Sequence, residues 1–312
     1  MVTDYKEDHG QRNDEPKKDS ENISRTEGDG EIEGEGIEKQ PMEQFNRKKI
    51  YIYQNEMPKS DEAYAKFVRE ISERGYEISD KCDASVGLIT CIGGDGTFLR
   101  LMHACNFPPN PIIGINTGHL GFFQEIQVDE IASFLDCYER QEYTLQNIWP
   151  VEAIVETEEG RFRHRSINEI AIRGPHTHLT HLEIEMDGSP MQEFNGDGIL
   201  VSTSCGSTAY NYALGGAIMS PQLSALQITP IAPSNTSAYR CFRSSVLYPS
   251  NMTLTIRPIK RTANDTLELT ADGSNLLYNQ VKKITIYQAS SGVHLIRCND
   301  YDYWMKLKSK LL

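Results

Sequence analysis

Long apolar runs are missing from this 312-residue chain, in which no stretch approaches the roughly 18 consecutive apolar residues of a membrane-crossing helix. The start of the chain also lacks the basic-then-apolar layout of a secretory signal, so the reading is a soluble, cytoplasmic protein with no membrane partner. Cysteine is sparse and unpatterned: seven residues, at 82, 91, 105, 137, 205, 241 and 298, with no CxxC pair and no zinc-ligand spacing. A disulfide-stapled miniature is excluded, and reduced thiols are expected. Excess positive charge is missing as well. The net charge of −13 argues against a nucleic-acid partner, because phosphate backbones select basic faces.

Most of the acidity sits at one end. Residues 1–46 hold 14 acids against 6 bases, a charge of −8, which leaves −5 for the remainder. With few apolar residues, this tail is expected to be disordered. From residue 47 the pattern changes. Segments 49–53, 86–92 and 111–115 read as strands, alternating with helices over 61–75, 97–105 and 128–139. Such alternation implies an α/β domain over 47–147, a parallel sheet with helices on both faces. From 148 to 291 short strand signals dominate, at 150–156, 161–166, 182–186, 199–203, 252–257, 266–270 and 283–287, with one helix over 208–218. This second domain reads as β-rich. Residues 293–297 and the helical-looking 301–312 close the chain, and periodicity alone assigns them to neither domain.

The chemistry starts at Gly93-Gly94-Asp95-Gly96-Thr97, three glycines around one carboxylate between a strand and a helix. Open α/β sheets bind ligands at that edge, glycine admits close approach of the backbone, and the amides opening a helix attract phosphate. Neither GxGxxG after a strand nor GxxxxGK[ST] is present, so a Rossmann dehydrogenase and a P-loop ATPase are disfavoured. A bland alternative is a glycine turn whose Asp95 only caps its helix.

Three further segments decide against the bland reading. Gly93–Thr97 resembles the GGDGT signature shared by the NAD kinase, diacylglycerol kinase and phosphofructokinase superfamily. The segment Gly114-Ile-Asn-Thr-Gly-His-Leu-Gly-Phe-Phe123, the pair Asn168-Glu169 and the run Gly196 to Tyr210 resemble, in order, the other motifs of the NAD kinases. The resemblance covers about 47–273. It implies an α/β domain followed by a sandwich-like β domain, with 292–312 returning to the first. The implied activity is transfer of a phosphoryl group from ATP, or from polyphosphate, to the 2′-hydroxyl of the adenosine ribose of NAD. A divalent metal, usually Mg2+, and a homo-oligomer, tetramer or dimer, are implied too.

Carried onto this sequence, the resemblance makes Asp95 the catalytic base and sets Gly96 against the ligand. Gly93, Gly94, Thr97 and Arg100 belong to the phosphate loop, although Arg100 reads equally as a surface residue. Asn168 offers donors and an acceptor for an adenine edge and Glu169 acceptors for ribose hydroxyls. Asp197 would accept from a carboxamide or amine of the dinucleotide. Thr208, Ala209, Tyr210 and Ala213 open a helix against it, and Ala232 matches a further contact. Phe122 reads either as packing on the adenosine or as a core aromatic. Asn195 stands where many relatives carry a base, and Ser204-Cys205 replaces a more usual Pro-containing pair. Metal ligands are not assigned. His176, His178 and His181 invite a metal reading but lack a carboxylate partner, and Cys205 reads as structural more than reactive. A lipid kinase would share GGDGT but gives no reason for the later motifs. A non-catalytic dinucleotide sensor is the alternative outside the enzymes.

Overall fold

The computed structural model describes residues 45–118, 121–175, 178–235, 240–259, 266–298 and 301–311. The acidic tail, with its expected disorder, lies outside the described residues up to residue 44. The chain opens with β1 (Asn46–Gln54), α1 (Pro58–Glu73), β2 (Glu77–Ser79), β3 (Val86–Gly93), α2 (Asp95–Ala104), β4 (Pro111–Asn116), β5 (Ile126–Gln127), α3 (Ile131–Arg140) and β6 (Thr144–Ile148). Every residue of β3 is buried, as expected of a strand covered on both faces. Its Leu88 and Ile92 join the helices α1 and α3 in one apolar layer, while Ile89 and Cys91 meet Phe98, Leu101 and Met102 of α2 in the other. The alternation of side chains along a strand makes one segment serve both layers.

The second domain holds β7 (Val151–Glu156), β8 (Arg161–Ser166), β9 (Glu169–Arg173), β10 (Thr180–Met186), β11 (Ser189–Thr203), α4 (Tyr210–Ala213), β12 (Ala225–Pro233), β13 (Val246–Pro249), β14 (Leu254–Pro258), β15 (Leu267–Ala271), β16 (Ser274–Tyr278) and β17 (Lys283–Gln288). Its strands form one sheet in the order β16-β15-β9-β11-β10-β14-β17-β7-β8, with β12 and β13 branching from β11. The two ends of that path meet: Tyr278 Oη lies 2.5 Å from His164 Nε2, and its ring centroid 5.2 Å from that of Phe162. The sheet thus folds over its own core, which protects edge strands that would otherwise recruit foreign partners.

β18 (Val293–Arg297) and α5 (Tyr303–Leu311) complete the chain. β18 lies in the first sheet, whose order is β2-β1-β3-β4-β18-β6 with β5 beside β4. The expected parallel sheet is corrected at this edge, because β18 is parallel to β4 but antiparallel to β6. β6 carries the chain out to the second domain and β18 carries it back, so the two neighbours run oppositely. The helix expected over 208–218 is also shorter. A 3-10 turn at Cys205–Thr208 precedes the single turn of α4, and Gly215 at φ 79° stops it. Strands β9, β12, β13 and β16 and the first half of β11 escape the sequence patterns; Pro230 in β12 and the polar, glycine-broken start of β11 blur their alternation. The cysteine expectation is corrected too, since Cys82 and Cys105 are paired as a disulfide with Cα atoms 5.8 Å apart.

Candidate active site

Gly93 ends β3 at the carboxyl edge of the first sheet with φ 153°, and a Cβ there would collide with Thr97. Gly94 and Gly96 differ. Nothing in the protein lies within 4 Å of a Cβ on Gly94, and only an Arg100 nitrogen, at 3.9 Å, on Gly96. Their lack of side chains therefore leaves open space beside Asp95, as a ligand would need. Thr97 is buried, and its hydroxyl accepts from Asn55 Nδ2 at 3.1 Å and from Arg100 Nη2 at 3.3 Å. Arg100 is thereby turned along its helix to brace the loop.

Asp95 is the first residue of α2, where a carboxylate is favoured by the helix dipole. Its Oδ2 accepts from the Phe122 backbone N–H and its Oδ1 from that of Phe123, both at 3.1 Å. A Cβ on Gly121 would collide with the same carboxylate, so glycine there lets the turn approach. Lys310, on α5, donates to Asp95 Oδ2 at 2.6 Å and stands 4.5 Å from the centre of the Phe122 ring. The Phe122 ring is buried, 5.9 Å from that of Tyr303.

The second wall is the turn before β9. Asn168 is buried, and its carbonyl accepts from Thr203 N at 2.9 Å. The turn hangs on Asp272, whose side chain is fully buried and accepts from Ile167 N at 2.7 Å and Asn168 N at 2.8 Å. His103 of α2 lies 3.2 Å from the same carboxylate. Asp272 thus ties the Asn168–Glu169 turn to the helix that begins at Asp95. Sequence reasoning missed Asp272 and Lys310. The Asp272-Gly273 pair, with φ 45° and 84°, was readable as a hairpin turn, but its carboxylate's role was not; nothing local marks Lys310.

Glu169 has a buried Oε2 without a hydrogen-bond partner. Burial, and after it the Asp272 carboxylate, push its carboxyl up to about 8, while the Tyr210 backbone N–H pulls the other way. The folded value exceeds the ordinary 4.5, so folding favours the protonated form. That contribution is whole below about pH 4.5 and is lost as the pH rises through about 8. Glu169→Gln, which stays neutral, is expected to gain stability over the wild type across this window, by at most about 1.4 kcal/mol per pH unit. Thermal melts of both proteins from about pH 5 to 9 check it; a Tm difference that stays flat would contradict a neutral Glu169.

Tyr210 is exposed at the mouth of this wall, with Thr208 and Ala209 half-buried beside it. Ala213, exposed, ends α4. Asn195, Asp197 and Ala232 lie away from the Asn168–Glu169 turn along the second sheet. Glu169 pairs with Ser202 across β9 and β11, and Asp197 lies five residues back along β11, about 16 Å at strand rise. Ala232 lies opposite it on β12, and Asn195 further still, buried with its Oδ1 lacking a hydrogen-bond partner. Leu214, just after α4, packs on Ala171, Leu200 and Ile231 between these two ends.

A cavity of about 310 Å3 lies at the other end of α2, lined by His103, Arg163 and Arg165 among others. Its arginines are already matched to Glu152, at 3.3 and 2.8 Å, and the negative pole of α2 faces it, so it does not suit a dinucleotide. Among the described residues no group of three His, Cys, Asp or Glu could hold a metal, and His176 of the histidine cluster lies outside them. Asp95 is the carboxylate of the loop, and Mg2+ commonly takes one or two carboxylates with the rest of its shell from phosphates and water. The residues present fit a metal carried in by phosphates. Burial pushes the Cys205 thiol up to about 11, against the pull of Arg297, which agrees with a structural cysteine.

A glycine loop presenting a carboxylate at the sheet edge, faced by a β domain with an Asn–Glu turn, is the arrangement that the resemblance to the GGDGT phosphotransferases implies. The family models for the ATP-NAD kinase N-terminal and C-terminal domains match residues 33–143 and 167–298. The chain is 34% identical to the NAD kinase of Finegoldia magna over 272 residues, 86% of this chain and 99% of that protein. It belongs to the NAD kinase family. Two solved structures share the fold at 20% identity: a yeast NADH kinase with NADH (TM-score 0.72, 83% of this chain and 86% of that one) and an Archaeoglobus fulgidus NAD kinase with ATP (0.67, 84% and 99%).

Proposed function

We propose that this chain transfers the terminal phosphoryl group of ATP to the 2′-hydroxyl of the adenosine ribose of NAD, producing NADP. The observation that carries the reading is the Asp95 carboxylate, fixed by two backbone N–H groups beside the open space at Gly94 and Gly96. Phosphoryl transfer needs positioning and charge neutralisation more than covalent chemistry. Asp95 takes the proton of the attacking hydroxyl, a contribution of about 10²- to 10⁴-fold. Asn168 reads the adenine edge. Glu169, neutral at pH 7, can donate to a ribose hydroxyl as well as accept from one. Tyr210 offers a ring for stacking. A magnesium ion entering with the donor phosphates would be held mainly by them, with Asp95 the loop carboxylate that would face it, and would supply charge neutralisation of the donor. Asn195, Asp197 and Ala232 contact the dinucleotide away from the transferred group, and the working form is a cytoplasmic homo-oligomer.

Purified full-length protein with NAD, ATP and magnesium should accumulate NADP, read enzymatically, and leave diacylglycerol unmodified. Saturable NAD binding with no NADP formed from ATP or polyphosphate would overturn the reading in favour of a sensor. Product from diacylglycerol instead would make it a lipid kinase.

A further inference from the structure

The contact between Asp95 and the last helical turn of the chain is not accounted for by the proton transfer. Oδ2 of Asp95 has two acceptor positions. One is filled by the Phe122 N–H at 3.1 Å and the other by the Lys310 ammonium at 2.6 Å. While Lys310 sits there, that oxygen has no position left for a hydroxyl proton. An exposed surface ion pair is usually a loose one, but this pair is constrained on several sides. The side chains of Lys310 and Asp95 are 33% and 22% exposed, and the ammonium also faces the Phe122 ring.

The helix that carries Lys310 is anchored to the same turn that holds Asp95. Lys306, one helical turn earlier and on the same face, donates to Gln124 O at 2.6 Å and reaches Glu125 Oε2 at 3.2 Å. Glu125 is itself buried against Arg297 at 2.7 Å. At the start of α5, Tyr303 Oη donates to Met219 O in the second domain at 3.1 Å. α5 is therefore docked at both ends, and a cation is delivered beside the base.

The geometry points to Lys310 as a catalytic residue that meets the phosphoryl group in flight: when the phosphate donor enters, its ammonium passes from Asp95 Oδ2 to an oxygen of the transferring group. The inference rests on the function proposed above. In the step, the ribose O2′ bonds to the terminal phosphorus of ATP while the bond to the bridging oxygen breaks, ADP leaves with that electron pair, and the hydroxyl proton goes to the vacated position on Asp95. Lys310 gains and loses no proton. It offsets negative charge on the phosphoryl oxygens and, by moving, frees Oδ2 for the hydroxyl proton when a donor is present.

The test compares full-length wild type with Lys310→Met, Lys310→Arg and, as a control for charge on the same helix, the exposed Lys308→Met. ATP affinity by calorimetry is measured beside steady-state turnover, with thermal melts confirming folding. Lys310→Met is expected to bind ATP about tenfold more weakly and to lose about 10²- to 10³-fold in turnover, with the KM for NAD within about twofold of wild type. Lys310→Arg should recover part of both losses, and Lys308→Met should lose neither. ATP affinity and turnover both within about twofold of wild type in Lys310→Met would overturn the inference, as would a rise in turnover, which would make α5 a plug. If the wild type formed no NADP but Lys310→Met still lost ATP affinity, the proposed function would fail and the cation site would stand.

Discussion

Asp95→Asn is expected to lower turnover by about 10²- to 10⁴-fold, or about 3 to 5 kcal/mol of barrier, with NAD binding broadly retained. The structure gives the loss two sources. The amide has no basic oxygen for the hydroxyl proton, and its NH2 must face a backbone N–H of Phe122 or Phe123, or the Lys310 ammonium, all of which are donors. The turn at 121–123 should therefore loosen as well as the chemistry fail. Turnover by initial rates and NAD affinity by calorimetry separate the two. Near-normal turnover in the variant would remove Asp95 from the role of base.

Asp272→Ala should be costly in a different way. Two buried N–H groups, of Ile167 and Asn168, lose their acceptor, and His103 loses its partner. At about 1 to 3 kcal/mol for each stranded donor, the loss is about 2 to 6 kcal/mol, a large share of a stability that is typically about 5 to 15 kcal/mol. Asn168 would no longer be held, so the KM for NAD should rise more steeply than kcat falls. With the neighbouring carboxylate gone, the Glu169 carboxyl should also come down from about 8. Denaturant unfolding and steady-state kinetics check both parts. A variant as stable as the wild type, with an unchanged KM, would show that Asp272 does not support the site.

Sequence patterns reached the strand–turn–helix unit around Asp95 because it is local. An all-buried strand, a glycine pair and an amphipathic helix lie within about twenty residues, and each announces itself by period or by backbone demand. The Asn168-Glu169 pair was legible by resemblance, and its neutral glutamate was not. That property depends on burial by other segments and on Asp272, a hundred residues away in sequence. The strands missed in the second domain failed for a related reason. β9 and β12 pack on both sides of a folded-over sheet, so their side chains do not alternate cleanly between apolar and polar.

The chain alone thus determined the family chemistry: a carboxylate between glycines at a sheet edge, the companion motifs, and two domains of different secondary structure. Tertiary structure decided which groups those residues meet. Lys310 lies 215 residues from Asp95, and Asp272 lies 104 from Asn168. Helix and strand periods relate residues a few positions apart, whereas a hydrogen bond requires two atoms within about 3 Å. Only the path of the fold, with β18 returning to the first sheet and α5 laid across its edge, brings the end of the chain to Asp95.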